Sequence, residues 1–425
     1  TLIGDAFHWH MPVESVQAPG TRDENGPQGL TVTLFGAGLG VQTTALTSED
    51  VLAATFNKDL AYEIGNIVGN DCLDAKVTFL YGPGANIHRS PYSGRNFEYY
   101  SEDACLSAEI GRYEVSGIEK NGVFVVYKHF ALNDCEQDRI GLGVWLNEQA
   151  AREIYLKAFQ KALEENDGLG GVMTAYTRWG AVWSGGVKGL MTNILRKEWG
   201  FDKIVISDYN AFREMKVHGF CKDDYECAEA AMTAGTDIEM MSNCYIKHAK
   251  KLLAEGKISV EQIDKSVMRI LELKEKLGLF ENPYGAADEE EEKRMFLCPE
   301  HRELVRRAAE KSAVLLKNDG VLPFSDTAKS VAVQIYSIND TEMAKDCHNC
   351  RVQHTDDPRL AWYKNKFHPE NSNFAFMITD ESGSFRGSST EGTGYSFEEI
   401  QAESGYKGKL PFYACDEYGS VSLYF

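Results

Sequence analysis

The stretch Gly200-Phe201-Asp202-Lys203-Ile204-Val205-Ile206-Ser207-Asp208-Tyr209 decides how this chain is read. Ile204, Val205 and Ile206 are β-branched and uniformly apolar, which predicts a short strand buried on both faces. The run stops at Ser207-Asp208, so a carboxylate stands at the carboxyl end of a core strand. In parallel α/β folds that end gathers chemistry, because loops from several strands converge there. The competing reading makes Asp208 the cap of the following helix.

Working outward, the same alternation recurs. Strands are predicted at Val77–Tyr81, Val123–Phe130, Gly171–Tyr176 and Asp237–Met241, with helices within 47–75, Glu148–Leu163, Leu190–Trp199 and Tyr225–Ala234. Ser259 followed by Gln262 forms a capping-box pattern at the head of a helix that stops at Gly278. Strand, polar loop and helix in repetition predict an α/β fold: a (β/α)8-type barrel or close variant over 1–285. The acidic segment 286–300 is expected to be a linker. Residues 301–425 are expected to form part or all of a second α/β sandwich domain, incomplete or irregular, opening at Val314–Asn318 and Val331–Val333. The first 40 residues, rich in Gly, Pro and Asn, are read as loops, with Thr21-Arg22-Asp23-Glu24 among them.

The 425 residues contain 44 basic and 64 acidic side chains, a formal charge of −20. Such a balance argues against nucleic acid or an anionic membrane as partner. A neutral ligand such as a sugar is indifferent to it, and a homo-oligomer is left open. The ten cysteines lack the spacing of a disulfide scaffold, and no apolar run of about 18 residues or signal peptide is present. Free thiols and a cytoplasmic location are expected, with secretion left open. Cys347-His348-Asn349-Cys350 with His354 has a spacing metal ligands can use, but the expectation is no metal and no cofactor.

The strand ends and the loops after them bring forward Asp23, Arg95, Lys128, His129, Met173, Tyr176, Asp208 and Glu239. A carboxylate among Arg, Lys, His and Tyr donors is expected to stay ionised, which suits a nucleophile toward an oxocarbenium-like centre. The remaining donors and acceptors suit vicinal hydroxyls. Adjacent Lys128 and His129 would point to opposite faces of a regular strand, so both can enter a pocket only if the backbone departs from it, as at a non-proline cis bond. Glu239 and Asp237 are read as structural.

Six blocks in order then resemble glycoside hydrolase family 3 over about residues 22 to 325. They are Gly94-Arg95-Asn96-Phe97-Glu98, Lys128-His129-Phe130, Val172–Tyr176, Glu198–Phe201 leading to Ser207-Asp208-Tyr209, Ala234–Met240, and His301–Pro323. The resemblance implies that Asp208 is the nucleophile of a retaining glycosidase. It also implies that Arg95, Lys128 and His129 grip the terminal sugar, that Met173 forms a wall, and that the Tyr176 hydroxyl steadies the nucleophile. Tyr209 stands where the family usually has Trp. Asn25 stands in the place of the family's hydroxyl-binding aspartate, so Asp23 or Glu24 is expected to supply that carboxylate, with Asp23 favoured. A second carboxyl group must act as acid/base, and Glu391 is the candidate. The Lys128–Asp134 loop lacks the histidine of the N-acetylhexosaminidase branch. The activity implied is release of terminal β-linked glucose. The alternatives are a β-xylosidase or α-arabinofuranosidase, or a sugar-binding homologue that lost its acid.

Overall fold

The computed structural model describes residues 3–6, 9–10, 12–26, 28–30, 43–137, 139–140, 142–166, 170–282, 298–320 and 322–323, together with strands at 375–379, 385–390, 412–415 and 421–424. The chain divides into two compact units, the first comprising residues 1–32, 39–91 and 95–313.

This first unit is built on eight strands: β1 (Ile3–Ala6), β2 (Trp9–His10), β3 (Thr21–Asn25), β4 (Phe79–Gly84), β5 (Phe124–Phe130), β6 (Gly171–Thr174), β7 (Ile204–Ile206) and β8 (Glu239–Met240). They follow one another around a single sheet from β8 through β1 to β7, and Ile206 bridges to Ile238 just ahead of β8, which closes the ring. β2 runs antiparallel to both neighbours; the other pairings are parallel. The barrel is therefore a (β/α) variant with one reversed stave. Three of its strands come from the first 25 residues, which corrects the reading of that segment as loops. Those strands are two to five residues long, and β3 buries Thr21, Asp23 and Glu24, so neither length nor hydrophobicity betrays them.

Interior positions alternate along the strands as the two-residue period requires. Phe79 and Tyr81, Phe124 and Val126, Met173, and Ile204 and Ile206 form one core with Ile238 and Met240. Ile270 and Leu273 join it from the helix Val260–Lys276, which closes the amino-terminal mouth beside Phe124 and Ile204. Ser259 caps that helix with the expected reciprocal capping box. The outward strand residues, including Leu80, Val125, Tyr127, Val172 and Val205, pack with residues of surrounding helices such as Val68, Val115 and Phe159. The helices Lys58–Asp74 and Ala104–Glu119 are capped by Asn57 and Asp103, whose side chains accept the backbone N–H groups of Leu60 and Leu106. A helix at Pro299–Ser312 also belongs to this unit.

Val314 to Asn318 is irregular rather than a strand, and Leu316 is 91% exposed. In the second unit the described strands form one antiparallel sheet in the order 385–390, 375–379, 412–415, 421–424. Val331–Val333, Cys347, Cys350, His354 and Glu391 lie outside the described residues.

Candidate active site

At the carboxyl end of β7, Ser207 ties two strands together: its Oγ accepts the Met240 N–H at 2.8 Å, and its own N–H donates to Ile238 O. The backbone turns through Asn210 in the left-handed region (φ 55°), a conformation Asn tolerates, and enters the helix Ala211–Val217. Asn210 is that helix's cap residue, so Asp208 is not. Instead, Asp208 Oδ1 accepts the Tyr209 N–H at 2.7 Å, and Oδ2 is buried without a hydrogen-bond donor.

Near the carboxyl end of β5, Lys128 and His129 are joined by a cis peptide, and both side chains are buried at the rim. The Asn86 side chain fixes the turn by accepting the His129 N–H at 2.9 Å and donating to the His129 carbonyl at 3.0 Å. Arg95 Nη2 lies 2.9 Å from His129 Nε2, and Tyr99 Oη lies 3.0 Å from Nδ1. A guanidinium only donates, so Nε2 accepts and Nδ1 carries the ring proton. Burial, together with Arg95, Lys128 and Arg139, pushes the imidazole well below its ordinary value, which agrees with a neutral ring. His129 Nε2 is 3.7 Å from Asp208 Oδ2 and has no proton to give it.

Gly84, at the end of β4, permits the close approach of the loop carrying Arg95: a Cβ there would lie 2.6 Å from both the Glu98 carbonyl and the Tyr99 ring. Glu98 pairs with Arg95 and, at 3.3 Å, with Lys128. Burial pushes its carboxyl up, but the two cations outweigh this and hold it at about 2. Lys128 Nζ also donates to Asn25 Oδ1 at 3.0 Å. Burial lowers the Lys128 ammonium below its ordinary value.

Several expected positions shift. Asp23 sits two residues below Asn25 on the same strand, 1% exposed, and its carboxylate accepts the Tyr81 hydroxyl at 2.7 Å and the Thr21 hydroxyl at 2.9 Å. Asn25, not Asp23, is the β3 residue beside Lys128. The Tyr176 hydroxyl donates to the Tyr209 carbonyl rather than to the nucleophile candidate. Met173 is buried opposite Ile206 in the barrel interior, and Tyr209 packs against that core. The expectation that neighbouring cations depress Asp208 is also corrected. Burial pushes its carboxyl up from the ordinary value, and Arg139, Arg95, the Tyr209 N–H and Lys128 offset only part of that.

Residues the sequence reading passed over complete the rim. Glu136 lies 3.0 Å from Arg139 and 3.8 Å from Arg95, and accepts the Asn133 amide at 2.9 Å. Asn86, Tyr99, Asn133, Glu136 and Arg139 all sit in loops after β4 and β5, and that position was their available signal. Asp237 and Glu239 serve the frame: Asp237 accepts from Arg196, Arg269, Ser266 and the Val205 N–H, and Glu239 accepts the Cys244 and Tyr245 N–H groups at a helix start. Among the described residues, no cluster of His, Cys, Asp and Glu is placed to hold a metal, and no helix is long and apolar enough to cross a membrane.

A closed, mostly parallel barrel with a buried, half-satisfied carboxylate at a strand's carboxyl end defines a (β/α)-barrel protein with its candidate site on the usual rim. The chain belongs to glycoside hydrolase family 3, and residues 33–273 match the glycosyl hydrolase family 3 N terminal domain. Among its relatives is a beta-glucosidase of Rhizobium radiobacter, 33% identical over 77% of this chain and 38% of the relative. The thermostable beta-glucosidase B of Acetivibrio thermocellus is 33% identical over 74% and 40%. The Bifidobacterium adolescentis GH3 beta-glucosidase superposes with a TM-score of 0.66 at 30% identity, covering 76% of this chain and 44% of that one. Beta-glucosidase 3B of Thermotoga neapolitana in complex with α-D-glucose gives 0.64 at 32%, covering 75% and 43%. This chain thus spans about two fifths of the length of such relatives.

Proposed function

We propose that this chain carries the barrel of a retaining, exo-acting β-glucosidase-type enzyme with Asp208 as its nucleophile. The observation that carries the reading is Asp208 Oδ2: an oxygen at a strand's carboxyl end, buried, without a hydrogen-bond donor, and surrounded by Arg95, Lys128 and His129. An acceptor left open in a cationic rim suits bond formation to an electrophilic sugar carbon. The beta-glucosidase relatives support the sugar class, as does the Thermotoga neapolitana complex with glucose.

In the first step Oδ2 forms a bond to the anomeric carbon as the bond to the leaving oxygen breaks, and that oxygen takes a proton from the second carboxylic acid. Water then attacks the same carbon and gives its proton to that group, and the bond to Asp208 breaks, so configuration is retained. Glu391 is proposed as the acid. Lys128, Arg95 and His129 contact the ring hydroxyls, and Asn25 takes the place first assigned to Asp23. Met173 and Tyr209 form the apolar floor. Attack needs the carboxylate ionised, so turnover is expected to rise with pH through the Asp208 pKa.

A 2-fluoro β-glucoside with a good leaving group tests this. Its glycosyl mass should appear on the peptide carrying Asp208, and labelling of another carboxylate overturns the assignment. Comparing kcat/KM for aryl β-glucoside, β-xyloside and α-arabinofuranoside then decides the sugar.

A further inference from the structure

Arg139 is a cation at the rim that neither the proposed sugar-binding set nor the barrel frame uses. Arg139 lies in the loop after β5, with its guanidinium carbon 4.8 Å from the centre of the Tyr176 ring. Its Nη1 is 3.0 Å from Glu136, whose other oxygen faces Arg95 at 3.8 Å. Its Nε is buried and makes no hydrogen bond. On the far side of this stack, the Tyr176 hydroxyl holds the Tyr209 carbonyl, and the Tyr209 N–H in turn binds Asp208 Oδ1. A short chain of contacts therefore runs from Arg139 through Tyr176 and Tyr209 to the proposed nucleophile.

Resting on the reading of Asp208 as nucleophile, we propose that Arg139 is a positioning residue that orients the Asp208–Tyr209 segment through Tyr176 and presents a fixed positive charge to the nucleophile. Tyr176 is suited to be the relay because its two ends do different work: the ring face takes the guanidinium and the hydroxyl takes a backbone carbonyl. An arginine suits this place better than a lysine would for the stacking, because its planar head lies on a ring while its donors stay in the plane. Of the groups that act on Asp208, Arg139 opposes burial most strongly, ahead of Arg95 and Lys128. The charged and titratable groups around the segment are Arg95 and Glu98 after β4, Lys128, His129, Glu136 and Arg139 from β5 and its loop, Tyr176 after β6, and Glu214 on the helix Ala211–Val217. His129 is neutral, and Glu98 is already paired to Arg95 and Lys128.

The test is the pH profile of kcat/KM on an activated aryl β-glucoside, whose leaving group needs little protonation, so the acid limb follows the nucleophile. Arg139→Gln and Arg139→Met should each move the acid limb up by about one pH unit, with about tenfold loss below it and recovery above it. Arg139→Lys should keep the limb near its original position and lower kcat alone. Two charge-removing variants are used so that a folding failure in one, checked by circular dichroism, leaves the other to decide. An unshifted limb in Gln or Met, or an equal shift in Lys, overturns the inference. Fluoroglycoside labelling away from Asp208 would instead remove the nucleophile reading on which it rests.

Discussion

Asp208 and Asp237 flank the same pair of strands, β7 and β8, and both are buried, yet their surroundings are opposite. Asp237, at the amino end of β8, receives Ser266 and Arg269 on one oxygen and Arg196 and the Val205 N–H on the other, at 2.5 to 2.9 Å. Asp208, at the carboxyl end of β7, receives one backbone N–H on Oδ1 and nothing on Oδ2. A buried carboxylate with every lone pair engaged holds a structure together; one left half engaged costs stability and is retained for reactivity. The contrast separates frame from proposed site without reference to any ligand.

The largest expected effect breaks the comparison in both directions. Asp208→Ala should lower aryl glucoside turnover by about 10⁴-fold or more. Its urea stability should be unchanged or raised by about 1 kcal/mol, because a poorly solvated charge is removed. Asp237→Ala should do the reverse, costing about 3–5 kcal/mol by leaving Arg196 and Arg269 without a counter-charge. If Asp208→Ala loses as much stability as Asp237→Ala, the distinction fails.

A second pair sharpens it through pH. The Glu98 carboxyl is held at about 2 in the fold, below the ordinary glutamate value. The stability this contributes is present above the unfolded pKa and is lost as pH falls toward 2, on the order of 3 kcal/mol. Glu114 lies between the helices and the barrel, accepting the Tyr100 hydroxyl at 2.8 Å, and burial pushes it up to about 8. Its contribution is present below the unfolded pKa and fades as pH rises through about 8. Denaturation midpoints measured from pH 3 to 9 should therefore flatten on the acid side in Glu98→Gln and on the alkaline side in Glu114→Gln.

The smallest effect separates the two β3 residues. Asn25→Ala should raise KM about tenfold, or about 1.4 kcal/mol, with little change in thermal midpoint. Asp23→Asn should leave KM alone and cost about 1–2 kcal/mol of stability, since it weakens the bonds from Tyr81 and Thr21. The opposite pattern would return the hydroxyl-binding role to Asp23.

Much of the barrel was legible because its later strands are apolar runs with abrupt polar ends, Ile204–Ile206 being the plainest. The strands of the first 25 residues were not, because they are only two to five residues long and β3 buries polar side chains: Asp23 is as buried as Ile204. At the rim, residue type and strand end were enough to bring forward Arg95, Lys128, His129 and Asp208. Which oxygen meets which donor was not readable. The choice between Asp23 and Asn25 depended on their heights along β3, and the Tyr176 hydroxyl's partner depended on the turn at Asn210. Glu136 and Arg139 escaped because a loop's charges acquire meaning only when its fold places them beside other loops.

The reversed strand and the ring it closes also set an order of assembly. Ile3 pairs with Glu239 and Gly4 with Met240, so β1 finds its parallel neighbour only when the ribosome has delivered β8. The hairpins β1–β2–β3 and the sequential pairings from β3 to β7 can form earlier, from contacts of shorter range. Closure is the most distant strand pairing in the barrel, and long-range pairing is slow because loop entropy is lost before the contact repays it. During synthesis the nascent sheet keeps two open edges until its final stave arrives, a window in which chaperone capture competes with ring closure.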